Sequence, residues 1–243
     1  PASGRTALRG SGAFIGQARA LKRLGKVDEA KGSILKAVQL DIKNDEDLSF
    51  VAEEIRGYEG IDKEQVRIYD LVIGRRPTDA KAWYHRGQAL ERLGSTDDAL
   101  ESYRRTVKLD PKNKDALIRL SMLTQIYGKL DETMECLERI LAIDPKEVET
   151  LLRKAMILEK KGDLQNALAA YEAAGRMDPS GDIANKKAYE LARSLGKKKA
   201  SRTLLKRLLD SDPGSVNLRR DELEYLFEDR QYDAFLKRAG AVF

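Results

Sequence analysis

The 243-residue chain carries 45 lysines and arginines against 40 aspartates and glutamates, a net charge of +5, with charged residues at 35% and aromatics at 6%. Charge this evenly mixed describes solvated surface rather than one strong field, and no apolar run approaches the length that spans a bilayer. With Cys136 the only cysteine and His85 the only histidine, intramolecular disulfides, His/Cys zinc sites and any Cys-His or Ser-His catalytic pair that avoids His85 are all excluded.

In chain order, residues 1–10 are rich in small side chains and read as linker. Gly10-Ser11-Gly12 resembles a phosphate loop only superficially: a third glycine is missing and no strand precedes it. A first unit begins near Ser11 and carries Gly25, Ala30 and Ile34, with no proline after it. Two interleaved combs follow. Gly60, Gly94, Gly128, Gly162 and Gly196 recur every 34 residues, and Pro77, Pro111, Pro145, Pro179 and Pro213 recur at the same spacing, each 17 after a glycine. Two kinds of breaker holding one register over five periods make the chain an array of repeats.

Each 16-residue interval between breakers has room for one helix and a tight connection. Glycine suits the left-handed position just past a helix end. Proline turns its predecessor away from helical conformation, so the Asp-Pro pairs at 110–111, 144–145, 178–179 and 212–213 read as stops. Apolar spacing agrees: Leu151, Ala155 and Leu158 mark one helix face, and Leu164, Ala167, Leu168, Tyr171 and Ala174 mark the next. Small residues recur where paired helices would cross, Gly87, Ser121 and Ala155 in first helices and Ala99, Thr133, Ala167 and Ser201 in second helices. A degenerate last unit starts near Val216, with Arg230 where glycine is expected.

Trp83-x2-Arg86-Gly87-x2-Leu90, followed by Ala99-x3-Tyr103 and Pro111, resembles the tetratricopeptide pattern W-x2-L-G-x2-Y…A-x3-F…P, with Arg86 and Leu90 departing from it. The resemblance implies an all-α fold, a right-handed α-solenoid of antiparallel helix pairs over 11–243. Its repeats would start near 11, 46, 80, 114, 148 and 182, with a partial one from 216. The polar capping helix that closes such arrays is absent and Pro1 is no initiator, so the chain reads as a segment of a longer protein.

In this family a concave surface lined by first helices binds ligands through repeat positions 2, 5, 9, 12 and 13. Position 5 here reads Ile15, Phe50, Tyr84, Ile118, Leu152, Lys186 and Arg220. Met122 and Met156 stand at position 9, and Arg119 and Arg153 at position 6. The resemblance thus points to a partner-binding groove of Phe50, Tyr84, Ile118, Arg119, Met122, Leu152, Arg153 and Met156, unless these side chains pack between neighbouring first helices. The carboxylate clamp of one branch of the family is missing: Tyr84/Gln88, Ile118/Met122 and Leu152/Met156 are the wrong pairs for it.

Between 182 and 220 eleven cations face four acids, so the rest of the chain is slightly acidic. Lys186, Lys187, Lys197, Lys198, Lys199 and Arg202 form a candidate basic patch, and Lys197-Lys198-Lys199 opens a helix where the macrodipole disfavours cations. The expected function is a protein–protein scaffold or adaptor that holds an extended or helical peptide. The alternatives are nucleic-acid or other polyanion binding at the basic repeat, or the substrate-recruiting arm of a larger enzyme. No catalytic residue, cofactor or metal is expected, self-association is left open, and a lone cysteine favours a cytoplasmic setting.

Overall fold

The computed structural model describes residues 10–179 and 181–240, so all of the expected 1–10 linker except Gly10 lies outside them. Among the described residues the chain forms fourteen α-helices and no strand. They fall into two compact units, with the division between Gly128 and Lys129. The first holds α1 (Ser11–Arg23), α2 (Val27–Val38), α3 (Asp45–Ile55), α4 (Asp62–Arg75), α5 (Ala80–Arg92), α6 (Thr96–Leu109) and α7 (Lys114–Ile126). The second holds α8 (Leu130–Ile143), α9 (Val148–Lys160), α10 (Leu164–Met177), α11 (Asp182–Ser194), α12 (Lys198–Ser211), α13 (Val216–Glu228) and α14 (Tyr232–Ala239). First helices start at 11, 80, 114, 148, 182 and 216 as the register requires, and α3 starts one residue before the expected 46.

The glycine comb is the set of left-handed helix ends. Gly25, Gly60, Gly94, Gly128, Gly162 and Gly196 have φ between 67° and 79°. At Gly94 the backbone N–H donates to Glu91 O (3.0 Å) while that of Ser95 reaches Leu90 O (2.9 Å), so the last carbonyls of α5 are satisfied by the turn. Arg230, standing where the comb would place glycine, is forced to φ 58°.

The proline comb ends second helices. Asp110 adopts φ −125°, ψ 88°, as the residue before proline must. Its carboxylate then accepts the Lys112 N–H at 3.2 Å, and Asn113 caps α7 by accepting from Ala116 N–H at 3.0 Å. A side chain six residues beyond the proline ties the turn to the next helix in three repeats. Trp83 Nε1 donates to Pro77 O (2.9 Å), Asn185 Nδ2 to Pro179 O (3.1 Å) and Arg219 Nε to Pro213 O (3.2 Å).

Within the first unit, Ile34, Ile42, Leu48, Ile55, Ile68 and neighbours form a buried apolar core over α1 to α5. α5 lies against α6 with Gly87 facing the ring of Tyr103, which is fully buried. In the second unit Ala155, Ala167 and Tyr171 share one apolar core with Ala188, Leu204, Leu205 and Leu208. Tyr103 and Tyr171 occupy the same repeat position. Each donates its hydroxyl to a glutamate twelve residues earlier, Glu91 at 2.7 Å and Glu159 at 2.8 Å, so the same bond recurs in both units.

Candidate partner-binding face

The first unit carries an exposed apolar stripe and a polar-lined cavity. On α7, Ile118, Met122 and Ile126 follow one another at four-residue spacing and so share a face. Ile118 is half-buried, Met122 is 45% exposed and Ile126 is 76% exposed, so the stripe opens to solvent toward the C-terminal end of the helix. An exposed apolar stripe on a charged protein is unlike ordinary solvated surface. In the same unit, side chains from α3, α4, α5 and the start of α7 line a cavity of about 410 Å3, among them Glu53, Arg56, Tyr84, His85, Asn113 and Asp115.

Aromatic rings pack against one another at the cavity. The His85 ring lies 5.6 Å from that of Tyr69 and 5.3 Å from that of Tyr84, and Tyr84 lies 6.0 Å from Tyr103. Gln88 ties two of them together: its Nε2 donates to Tyr84 Oη at 3.0 Å and its Oε1 meets His85 Nδ1 at 3.0 Å. Burial pulls the His85 pKa below the ordinary 6.5, outweighing its bond to Gln88, so the neutral ring is favoured. Burial pushes the Tyr84 phenol upward, reinforced by Asp115. Charges of both signs and the imidazole of His85 therefore converge on one cavity.

The eight residues expected in the groove are distributed as follows. Phe50 is half-buried beneath the guanidinium of Arg19, 4.7 Å from its ring centroid. Tyr84 lines the cavity, and Arg119 is exposed with Nη1 3.4 Å from Glu91. In the second unit Leu152 is half-buried against the apolar core, Arg153 is half-buried, and Met156 is 54% exposed. Ile15, at the equivalent position of the first repeat, is buried in the core instead. The methionines are thus more open to solvent than the position-5 residues, which partly pack between helices.

Ile126 was not among the residues expected in the groove. It is at position 13 of its repeat, one of the family's contact positions, and apolar spacing from Met122 would have found it. His85, the lone histidine, is a partly exposed residue of α5 that lines the cavity.

The basic patch is not one field. Lys186 pairs with Asp182 (2.8 Å) and Lys187 with Glu190 (3.6 Å) on their own helix. Lys198 reaches Glu228 (2.9 Å), and Arg202 reaches Asp229 (2.6 Å) while lying over the ring of Tyr225. Among the described residues Lys197 and Lys199 have no carboxylate partner.

Residues 80–113 and 148–180 each match a family model described as tetratricopeptide repeat. The chain carries tetratricopeptide repeats. These matched stretches are α5–α6 and α9–α10, the helix pairs in which Gly87 and Ala155 are buried. A stretch of 47 residues is 45% identical to Serine/threonine-protein phosphatase T of Trypanosoma brucei brucei (strain 927/4 GUTat10.1). That stretch is 19% of this chain and 10% of the phosphatase, so the chain spans about a tenth of that curated relative's length.

Solved tetratricopeptide arrays share the fold. A MamA crystal structure aligns over 68% of this chain and 90% of its own, at 18% identity and TM-score 0.55. A MamA fragment from Desulfovibrio magneticus RS-1 aligns over 74% and 98%, at 17% identity and TM-score 0.53. YrrB, described as a TPR protein with an unusual peptide-binding site, aligns over 74% and 92%, at 17% identity and TM-score 0.57. The chain is an α-solenoid of tetratricopeptide helix pairs, and no described helix is long and apolar enough to cross a membrane.

Proposed function

We propose that this tetratricopeptide array is a protein–protein interaction scaffold and that its first unit captures a peptide segment on the α3–α5–α7 face. The observation that carries the reading is the pairing of the exposed stripe Ile118–Met122–Ile126 with the polar-lined cavity at Tyr84 and His85. Apolar side chains of the segment would cover the stripe, where methionine adapts to irregular shapes. Polar or charged groups of the segment would enter the cavity, where Arg56, Glu53, Asn113 and Asp115 offer donors and acceptors. Burying the stripe contributes roughly 25 cal/mol per Å2 of apolar area, offset in part by the entropy of ordering the segment. Leu152, Arg153 and Met156 on α9 offer the second unit a smaller face of the same kind. The peptide-binding site of YrrB is in keeping with this reading.

The reading is tested by selecting peptides from a displayed library on the wild-type chain and counter-screening them on Met122→Glu/Ile126→Glu. Both positions are exposed, so the variant should keep wild-type helicity. The selected peptides should lose binding to it. Peptides that bind wild type and variant equally would sink the proposal.

A further inference from the structure

Between α10 and α12, both second helices of the second unit, lies a cavity of about 610 Å3 that the scaffold reading leaves unused. Five cations line it: Arg176 from α10, and Lys197, Lys198, Lys199 and Arg207 from the start and body of α12. One carboxylate, Glu172, faces them, and it is 3.9 Å from Arg176. Ala200 and Leu204 give the cavity an apolar floor between the cations.

This charge is only partly neutralised inside the protein. Lys198 is held by Glu228, and Arg207 Nη1 donates to the uncharged Asn185 Oδ1 at 3.1 Å. Lys197 and Lys199 meet no carboxylate among the described residues. The contrast with earlier repeats is direct. The residue at the position of Lys199 is Asp97 in α6, Asp131 in α8 and Gln165 in α10, and the residue at the position of Lys197 in α10 is the capping Asp163. Three adjacent cations on the positive end of a helix repel one another and the macrodipole, so an anion seated there would relieve both.

The dimensions narrow the ligand. Lys199 and Arg207 are eight residues apart on α12, roughly 12 Å at the rise of an α-helix. A cavity of about 610 Å3 is larger than one inorganic phosphate fills. The volume lies within the range of about 300–1,000 Å3 typical of small-molecule sites. A nucleic-acid strand fits less well. The neighbouring Lys186 and Lys187 are outside this cavity and paired to their own acids, and Tyr171 and Tyr189, the aromatic residues nearest in sequence, are buried with their hydroxyls on Glu159 and Asp221. We infer that the α10–α12 cavity binds a small organic polyphosphate, with phosphate groups at the lysine and arginine ends and its carbon frame over Ala200 and Leu204. The site is independent of the peptide-binding face.

Calorimetry of the full chain titrated with inositol hexakisphosphate tests this. Saturable one-to-one binding is expected, weakened at least about tenfold in Lys197→Ser/Lys199→Ser. The same charge removed outside the cavity, in Lys186→Ser/Lys187→Ser, should leave affinity unchanged. Serine is favourable at a helix start, so the first variant should fold as well as wild type, as circular dichroism would report. Vesicles of phosphatidylcholine containing phosphatidylinositol bisphosphate distinguish a lipid headgroup from a free ligand, and binding that the soluble probe displaces upholds the site with the membrane as its source. Absence of saturable binding overturns the inference, as does equal weakening in both double variants. A single-stranded RNA that binds more tightly than the probe and depends on the same two lysines overturns it in favour of a nucleic-acid surface.

Discussion

Replacing Gly87 by alanine sets two effects of known size against each other. In α5 the exchange gains helix propensity, about 1 kcal/mol for a glycine in a helix interior. The added Cβ, however, would sit 2.8 Å from Tyr103 Cε1, 3.0 Å from Cδ1 and 3.1 Å from Cζ. The ring has no easy retreat: Tyr103 is fully buried, its hydroxyl is held by Glu91 at 2.7 Å, and the Tyr84 ring lies 6.0 Å away. Overpacking of this kind costs about 1–3 kcal/mol, which leaves a net loss of about 0–2 kcal/mol. Gly32, exposed in the middle of α2 with nothing within 4 Å of an added Cβ, supplies the control. Gly32→Ala should be stabilised by about 1 kcal/mol. Urea unfolding followed by circular dichroism compares the two variants, and their difference, about 1–3 kcal/mol, is more secure than either absolute value in a repeat array. If Gly87→Ala is stabilised as much as Gly32→Ala, the close approach of α5 to Tyr103 is wrong.

Arg230→Gly should stabilise the α13–α14 turn by about 1 kcal/mol, because φ 58° costs an L-residue what glycine does not lose; a lower thermal midpoint would contradict the turn assignment. Tyr171→Phe should cost about 1 kcal/mol by removing the hydroxyl that Glu159 accepts, and an unchanged urea midpoint would show that bond contributes nothing. His85 is held neutral in the fold, so the unfolded chain takes up its proton first as pH falls. Stability from this group is complete above pH 6.5 and is lost as pH drops through the lower folded-state value. The difference in stability between wild type and His85→Gln should therefore shift against wild type below pH 6.5, and a difference independent of pH between 5 and 8 would show that the ring is not shielded.

The architecture was legible because breakers act locally. A glycine at a left-handed helix end and a proline after a stop impose backbone geometry that no tertiary contact is needed to explain, and 34-residue spacing repeats the instruction. Gly87 was legible as a small residue at a helix crossing, but the ring of Tyr103 that it faces is known only from the packing. The binding face was only half legible. Position 5 identifies the side of the first helix that turns inward, but how far each side chain is covered depends on the neighbouring repeat. Ile15 is buried, Ile118 is half-buried, and Ile126, one turn beyond Met122, is exposed. His85 was hidden because its surroundings, Tyr69 and Tyr84, come from two helices whose approach is a tertiary fact. Charge counting likewise grouped Lys186 with Lys199, although Lys186 is paired with Asp182 and Lys199 lines the α10–α12 cavity.

The four methionines provide the most direct test of peptide capture on the first unit: Met122 on the proposed face, Met156 at the equivalent position of α9, Met134 half-buried in α8, and Met177 exposed on α10. Methyl NMR of the chain labelled at methionine, titrated with a peptide selected on wild type, reads all four at once. The Met122 resonance should shift and saturate with the peptide while those of Met134 and Met177 stay in place. A saturating shift at Met134 or Met177 with Met122 unmoved would place the partner elsewhere and contradict the account.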